Sequence, residues 1–203
     1  VLDVGGCWGW HWRSLGSIRS DVTLCIVDLI RENFTHARRI LGDQIDRNVF
    51  LVHGDATALD FPTQSFDAYW SVQALQHVPN FSAAIDEAHR VLRPGGLFAC
   101  YSLNDAMLVR SLYRLAGRHY HRRGHIEGAF YLERMSEQQI ETVKKRFGND
   151  IQQRFTELLF NPDLSLTQSG AAGSIWGRMD AGLSGGGWWR KLIAHQHSVH
   201  ALR

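Results

Sequence analysis

The chain has 203 residues, of which 44% are hydrophobic and 21% are charged, so it is long enough to bury a sizeable core and to form one ordinary soluble domain. Lys and Arg exceed Asp and Glu by only two, which excludes a protein that coats nucleic acid through its overall charge. No apolar run has the length of a membrane span and no leader is visible, while three widely spaced cysteines favour a reducing compartment. We therefore expect a cytoplasmic protein that does not insert into membranes.

Strand-like and helical patterns alternate through the first half of the chain. Apolar runs predict strands at residues 1–5, 22–28, 49–53, 66–71 and 97–102, and apolar stripes at helical spacing predict helices at 30–41 and 81–92. This alternation is typical of parallel strands joined by crossover helices. The predicted fold class is α/β, a three-layer, doubly wound, Rossmann-like sheet that is mostly parallel with an antiparallel last strand.

We predict one domain, residues 1–203, with a core at 1–103, a basic insertion at 104–133 and a C-terminal region at 134–203. The first residues already lie in an apolar run, so an N-terminal truncation is expected. In the C-terminal region a capping box at Ser136 predicts a helix. Strands are predicted at 151–160 and 198–202, with a short helix within the Gly-rich stretch 165–187.

Ligands of an open parallel sheet bind beyond the carboxyl ends of its strands. The loop after the first strand contains Gly5, Gly6 and Gly9, but it matches neither the dinucleotide nor the P-loop glycine pattern. Asp28 ends the second strand, where a carboxylate can accept both hydroxyls of a ribose, and Asp55 follows the third. Glycine and aspartate are also common in ordinary turns, but their order here favours a site for a nucleoside without phosphates.

Six segments, taken in order, resemble the class I S-adenosylmethionine-dependent methyltransferases, in particular their small-molecule branch of the methyltransferase type 11 kind. The resemblance covers residues 1 to about 103. The segments are Val-Leu-Asp-Val-Gly-Gly-Cys-Trp-Gly at 1–9, Ile-Val-Asp at 26–28, Gly-Asp-Ala-Thr-Ala-Leu at 54–59, Ser-Phe-Asp at 65–67, Ala-Leu-Gln-His at 74–77 and Arg-Val-Leu-Arg-Pro-Gly-Gly at 90–96.

The resemblance implies S-adenosylmethionine as cofactor and assigns residues to its parts. Gly5 and Gly9 would surround the methionine part, and Asp3 would orient that loop and the cofactor's amino group. The remaining implied contacts are Asp28 to the ribose with Leu29 packed nearby, Asp55 and Ala56 to the adenine, and Ser71 with Gln76 or His77 closing the site after the fourth strand.

One position departs from the family pattern. Cys7 stands where the family usually has a glycine, and a cysteine tolerates a positive φ poorly. The sequence leaves two alternatives open: either the loop bends differently, or cofactor binding is weakened.

The implied reaction is an in-line displacement of the sulfonium methyl by a small-molecule acceptor. His77 is the nearest candidate for a general base by its position in the motif. The alternative for His77 is a packing or capping role at a helix start. No metal site is predicted, because the histidines around His121 lack acidic or cysteine partners.

The basic insertion contains no Asp or Glu between Ala106 and Ile126, and arginines recur at 110, 114, 118 and 122. On a helix this spacing makes one cationic face. This cationic face has three possible interpretations: a solvated surface, a lid that recruits an anionic acceptor, or the binding face of a nucleic-acid methyltransferase. The usual motif of nucleic-acid methyltransferases after the fourth strand is absent from this sequence. A non-catalytic partner protein is a further alternative for the function. The side chains of Trp176, Trp188 and Trp189 suit either the core of the C-terminal region or a subunit interface.

Overall fold

A computed structural model describes residues 1–126, 130–159 and 175–203, without the side chain of Trp176. Its strands are β1 (Leu2–Val4), β2 (Leu24–Asp28), β3 (Val49–His53), β4 (Phe66–Val72), β5 (Leu92–Leu103), β6 (Arg123–His125), β7 (Tyr131–Glu133), β8 (Gln152–Thr156) and β9 (Gln196–Leu202). Its α-helices are α1 (Leu15–Ile18), α2 (Asn33–Leu41), α3 (Phe81–Val91), α4 (Met107–Leu115), α5 (Glu137–Phe147), α6 (Ile175–Leu183) and α7 (Trp188–Lys191).

Seven strands form one sheet in the order β3-β2-β1-β4-β5-β9-β8. Strands β1 to β5 pair in parallel, whereas β9 runs antiparallel between β5 and β8. The predicted α/β class, the mostly parallel sheet and the antiparallel last strand are confirmed. The order reverses between β1 and β4, so the carboxyl ends of these strands flank the position where ligands of such sheets bind.

Apolar side chains cover both faces of the sheet. The apolar stripe of α3 and the inner face of α5 pack on one face, where the rings of Phe98 and Phe147 stack with centroids 4.8 Å apart. On the other face Ala37 and Leu41 of α2 pack against β2 and β3. The capping box predicted at Ser136 is present, because Ser136 Oγ accepts from the Gln139 N–H and Gln139 Oε1 accepts from the Ser136 N–H.

Two predicted strands differ most from their observed limits. β5 begins at Leu92 because Leu92 already pairs with Phe66 of β4, and the glycine turn that follows contacts the C-terminus: the Gly95 N–H donates to the Arg203 carbonyl at 2.7 Å. β8 ends at Thr156, before Glu157 adopts a positive φ of 58°. Residues 160–174 lie outside the described residues. They include the last residue of the strand predicted at 151–160 and the first part of the Gly-rich stretch at 165–187.

The continuous cationic helix face predicted for the basic insertion is wrong. Helix α4 ends at Leu115, where Gly117 turns the chain with a φ of 66°. Arg118 and Arg122 therefore lie beyond the helix. A two-stranded hairpin of β6 and β7 follows, with Arg123 paired to Glu133 and His125 to Tyr131. Within the described ranges, no helix combines the length and apolar character needed to cross a membrane.

Candidate functional site

A cavity of about 500 Å³ lies at the carboxyl ends of β1 to β4. The β6–β7 hairpin forms its remaining wall, through His125, Phe130 and Tyr131. Six of the residues predicted for the site line this cavity: Gly5, Asp28, Leu29, Asp55, Ala56 and His77. Four others, Asp3, Gly9, Ser71 and Gln76, lie behind its surface.

The loop after β1 requires positive φ at three positions. Gly5 has a φ of 75°, and a Cβ there would come within 2.1 Å of Ala74 Cβ, so a side chain would displace the chain after β4. Cys7 has a φ of 52°. The loop therefore keeps the conformation of a glycine loop, and the cysteine occupies the left-handed region at a cost of about 1–2 kcal/mol. The structure therefore does not have the alternative conformation, in which the loop bends differently at Cys7.

Asp3 and Gly9 hold this loop from behind. Asp3 is buried and accepts a hydrogen bond from Trp12 Nε1 at 2.7 Å. Its Oδ2 packs so closely on Gly6 that a Cβ on Gly6 would lie 2.4 Å from it. Burial raises the pKa of Asp3 to about 7, opposed by the Trp12 hydrogen bond and supported by the charge of Asp28. Gly9 has a φ of 67° and packs so closely on Leu41 that a Cβ would lie 2.6 Å from it.

Three donors hold the Asp28 carboxylate in place at the end of β2. Its Oδ2 accepts from the Cys7 N–H at 2.9 Å, and its Oδ1 accepts from the Ile30 N–H at 2.8 Å and from Asn33 Nδ2 at 3.1 Å. Asn33 is itself fixed, because its Oδ1 accepts from Trp8 Nε1 at 3.1 Å. A carboxylate has about four acceptor positions, so Asp28 keeps one on Oδ2 for a ligand hydroxyl. Sequence reasoning missed Asn33, although its place five residues after Asp28 was visible.

Asp55 and Ala56 also keep free hydrogen-bonding groups at the cavity. Asp55 Oδ1 accepts from the Thr57 N–H and from Thr57 Oγ1, at 2.8 and 2.9 Å. Among the described residues, Asp55 Oδ2 accepts no hydrogen bond and the Ala56 N–H donates none. These two atoms offer one acceptor and one donor, which is the pair that the amine and a ring nitrogen of adenine require. Leu29 is 64% exposed beside them.

Ser71 lies inside β4 and not at the site. It is fully buried, and its hydroxyl donates to the Val4 carbonyl at 2.9 Å. The strand runs one residue further than predicted, to Val72, which places the next two residues at the cavity instead. Gln73 and Ala74 line it, and sequence reasoning assigned no role to Gln73.

His77 is held in one tautomer by its neighbours. Its Nδ1 lies 2.7 Å from the Tyr131 carbonyl oxygen, which can only accept, so Nδ1 carries the proton of the neutral ring. Its Nε2 then accepts from Gln76 Nε2 at 3.3 Å, while Gln76 Oε1 accepts from the Leu103 N–H at 2.8 Å. Gln76 is thus a buried support that links His77 to the end of β5.

The hairpin wall was not predicted from the sequence. Phe130 lies edge-on to His77 with ring centroids 6.4 Å apart, and Tyr131 packs against His125 at 5.7 Å. The Tyr131 hydroxyl donates to Glu133 at 2.7 Å and accepts from Arg123 Nε at 3.0 Å. These contacts give the cavity an aromatic wall opposite the loop after β1.

The polar groups that line the cavity match the parts of S-adenosylmethionine. Its described lining contains two carboxylates, Asp28 and Asp55, and neither Lys nor Arg. Such a lining suits a ligand that has a sulfonium cation, a ribose and an adenine, and it disfavours a pyrophosphate. The unused hydrogen-bonding positions on Asp28, Asp55 and Ala56 lie along the wall formed by β2 and β3.

Comparison with known proteins agrees with this architecture. Residues 2–100 match the family model described as "Methyltransferase domain". The chain is 43% identical over 119 residues to the ubiquinone/menaquinone biosynthesis C-methyltransferase UbiE of Rhodopseudomonas palustris, a match that covers 57% of this chain and 47% of that protein. The chain spans about half the length of the curated relatives it matches.

Two solved structures share the fold at low sequence identity. A possible histamine N-methyltransferase of Thermotoga maritima superposes with a TM-score of 0.66 at 16% identity, covering 99% of this chain and 80% of that one. The phosphoethanolamine N-methyltransferase 2 of Haemonchus contortus, in complex with S-adenosyl-L-methionine, gives 0.63 at 19%, covering 100% and 48%. Residues 2–100 therefore match a methyltransferase domain, and the chain has the fold of S-adenosylmethionine-dependent methyltransferases.

Proposed function

We propose that this chain transfers a methyl group from S-adenosylmethionine to a small-molecule acceptor. The observation that supports this most is the cavity wall of Asp28, Asp55 and Ala56, whose unused hydrogen-bonding positions match a nucleoside and whose described surroundings contain neither Lys nor Arg. We further propose that the protein acts in the cytoplasm, where its unpaired cysteines would stay reduced.

Each residue of the wall then has a distinct task in binding. Asp28 accepts from one ribose hydroxyl at the unused position on its Oδ2, with Leu29 packed beside the ring. Asp55 accepts from the adenine amine, and the Ala56 N–H donates to the adenine ring. Gly5 lets the backbone approach the methionine part, while Asp3 and Gly9 support the loop without touching the ligand.

When bound, S-adenosylmethionine supplies a methyl group on a sulfonium, which a nucleophile of the acceptor displaces in line as a neutral thioether leaves. The chain positions the reactants and excludes water, which accounts for most of such catalysis. An oxygen nucleophile or an acidic ring C–H also loses a proton. His77 lines the cavity, and its Nε2, which accepts from Gln76 Nε2, would take that proton in place of this hydrogen bond.

The acceptor is proposed from relatives and from the hairpin. The names of several relatives describe quinone C-methyltransferases or a demethylmenaquinone methyltransferase. Here Phe130, Tyr131 and His125 offer aromatic faces on the hairpin side of the cavity, where an acceptor ring would stack. A quinol-type ring is therefore the first acceptor class to test.

Nucleic acid is a weaker candidate for the acceptor, because the five arginines of the insertion do not share one helix face and three of them pair with carboxylates. Arg110 and Arg122 both pair with Asp105, and Arg123 pairs with Glu133. A non-catalytic role was motivated by Cys7, yet the loop around Cys7 keeps its conformation and its hydrogen bond to Asp28.

Transfer of labelled methyl groups tests the proposal. The protein is incubated with S-adenosylmethionine bearing a labelled methyl and with 1,4-naphthohydroquinone under reducing conditions, and the product is identified by mass spectrometry. We expect a methylated ring product that is lost with Asp28→Ala and retained with the exposed control Asp60→Ala. Cofactor binding without transfer to quinols or other small acceptors would support the non-catalytic alternative instead.

A further inference from the structure

A second cavity, of about 560 Å³, adjoins the hairpin. The pair nearer the hairpin tip, His125 and Tyr131, lines the first cavity, whereas the next pair, Arg123 and Glu133, lines the second. Alternate residues of a strand share one face, about 7 Å apart. The two cavities are therefore neighbours along one face of the hairpin, and the Tyr131 hydroxyl bonded to Glu133 stands between them.

The second cavity contains two arginines that share one carboxylate. Arg110 Nη1 donates to both oxygens of Asp105, at 3.1 and 2.9 Å, and Arg122 Nε donates to Asp105 Oδ2 at 2.7 Å. The Asp105 side chain is only 11% exposed, so it fixes both guanidinium groups from below. One negative charge for two positive charges leaves this cluster with a net cation.

Both arginines keep donors that are not used by the protein. A guanidinium has five N–H groups, and Arg110 uses only Nη1 while Arg122 uses only Nε. Within the described part of the chain, their other N–H groups donate to no acceptor. The side chains are 39% and 57% exposed, so these donors are accessible from the cavity and from solvent. Such paired guanidinium forks match the oxygens of a carboxylate or a phosphate.

Two further features of the lining favour an organic anion. The first turn of α5, at Ser136, Glu137 and Gln138, borders the cavity, and the Glu137 carboxylate is paired with Lys191, so the partial positive charge of the helix N-terminus is not opposed by an unpaired acid. The opposite wall is apolar, with Met107, Leu192 and the 77% exposed ring of Trp188. A simple inorganic ion would leave that apolar wall without a contact.

We propose that the second cavity binds the carboxylate or phosphate of a small organic molecule between Arg110 and Arg122, with the body of that molecule against the apolar wall. Since the cavity adjoins the proposed methyl-transfer site, the natural ligand is an acceptor that carries such an anionic group. This last identification rests on the proposed function, whereas the binding site itself does not.

Calorimetric titration of the protein without cofactor tests the site. The probes are benzoate, phenyl phosphate and the neutral benzyl alcohol, which separate the carboxylate and phosphate sources from apolar binding alone. We expect one or both anions to bind and benzyl alcohol not to bind. Arg110→Gln or Arg122→Gln is expected to weaken the anion about tenfold. Arg114→Gln, on the same helix but outside the lining, is the matched control, and we expect a change below about twofold.

Equal losses with Arg114→Gln, or equal binding of benzyl alcohol, would overturn the site. Binding of S-adenosylmethionine is measured in the same variants and is expected to be unchanged. If the anions fail to bind while the cofactor binds, the second cavity proposal fails and the methyl-transfer proposal stands. If the anions bind while the cofactor does not, the second cavity proposal stands and the methyl-transfer proposal fails.

Discussion

The backbone N–H of Cys7 donates to Oδ2 of Asp28 across 2.9 Å. This bond joins the loop after β1 to the end of β2, so the conformation of the loop and the orientation of the acid depend on each other. The same residue adopts a positive φ of 52°. A strained cysteine thereby holds the carboxylate that we propose for the ribose.

Replacing Cys7 by glycine is expected to stabilise the fold by about 1 kcal/mol, because glycine adopts a positive φ without the steric cost of a Cβ. Denaturant unfolding measures this change. Cys7→Ala is the matched control: it removes the thiol but keeps the Cβ, so it should not stabilise. If both variants gain equally, the strain at Cys7 is not the cause.

Asn33→Ala is expected to weaken S-adenosylmethionine binding roughly threefold to tenfold, because Asp28 loses the amide donor that orients its Oδ1. Calorimetry measures the dissociation constant. Asn149→Ala, at an exposed loop position, is the control and should bind as the wild type does. An unchanged affinity for Asn33→Ala would show that Asp28 does not need this support.

The buried carboxyl of Asp3 predicts a loss of stability as the pH rises. Its pKa is about 7 in the folded protein but about 3.9 in an unfolded chain. Between these values the unfolded chain releases a proton that the folded protein keeps, so folding becomes less favourable with rising pH. The full difference is on the order of 4 kcal/mol.

Asp3→Asn should remove this dependence, and its stability relative to the wild type should rise from pH 4 to pH 7. Urea unfolding at a series of pH values measures it, with Asp60→Asn as an exposed control. A constant difference between Asp3→Asn and the wild type across this range would mean that Asp3 titrates normally.

His197 predicts the opposite slope. Burial, with the charge of Lys191 as a smaller cause, lowers the pKa of His197 to about 3. Below pH ~6.5 the unfolded chain binds a proton that the folded protein rejects, so stability falls as the pH falls. Between pH 6.5 and 4.5 the loss is about 2–3 kcal/mol.

His197→Gln should abolish that loss while its amide keeps a donor for Gln153 Oε1, which lies 3.1 Å from His197 Nε2. The exposed His11→Gln is the control. Because Asp3 and His197 act in opposite directions between pH 4 and 6.5, each slope is measured as a difference from the wild type. If His197→Gln retains the acid-induced loss, another group is responsible.

Local patterns in the sequence were sufficient to predict the sheet and most of its helices. Apolar runs identify β2, which is buried at all five positions, and β3, which is buried at Val49, and the Ser136 capping box needs only four neighbouring residues. Asp28 and Asp55 were predicted as neighbours because parallel strands bring their carboxyl ends to one edge. The cavity lining contains both.

Local patterns did not predict contacts between residues that are distant in the sequence. The arginine spacing of four suggests a longer helix, but Gly117 ends α4 and the partners of the arginines come from Asp105 and Glu133. The hairpin wall depends on β6 pairing with β7, which no local propensity specifies. Ser71 was misplaced at the site because the end of β4 is set by its pairing of Val72 with Tyr101.

The most direct test of the central claim is calorimetric titration of the folded wild type, Asp28→Ala and Asp60→Ala with S-adenosylmethionine. We predict saturable binding to one site in the wild type and in Asp60→Ala, and a loss of at least about tenfold in affinity in Asp28→Ala, where a charge-assisted hydrogen bond to the ribose is removed. Equal affinity of all three proteins, or no binding by the folded wild type, would contradict the assignment of this cavity.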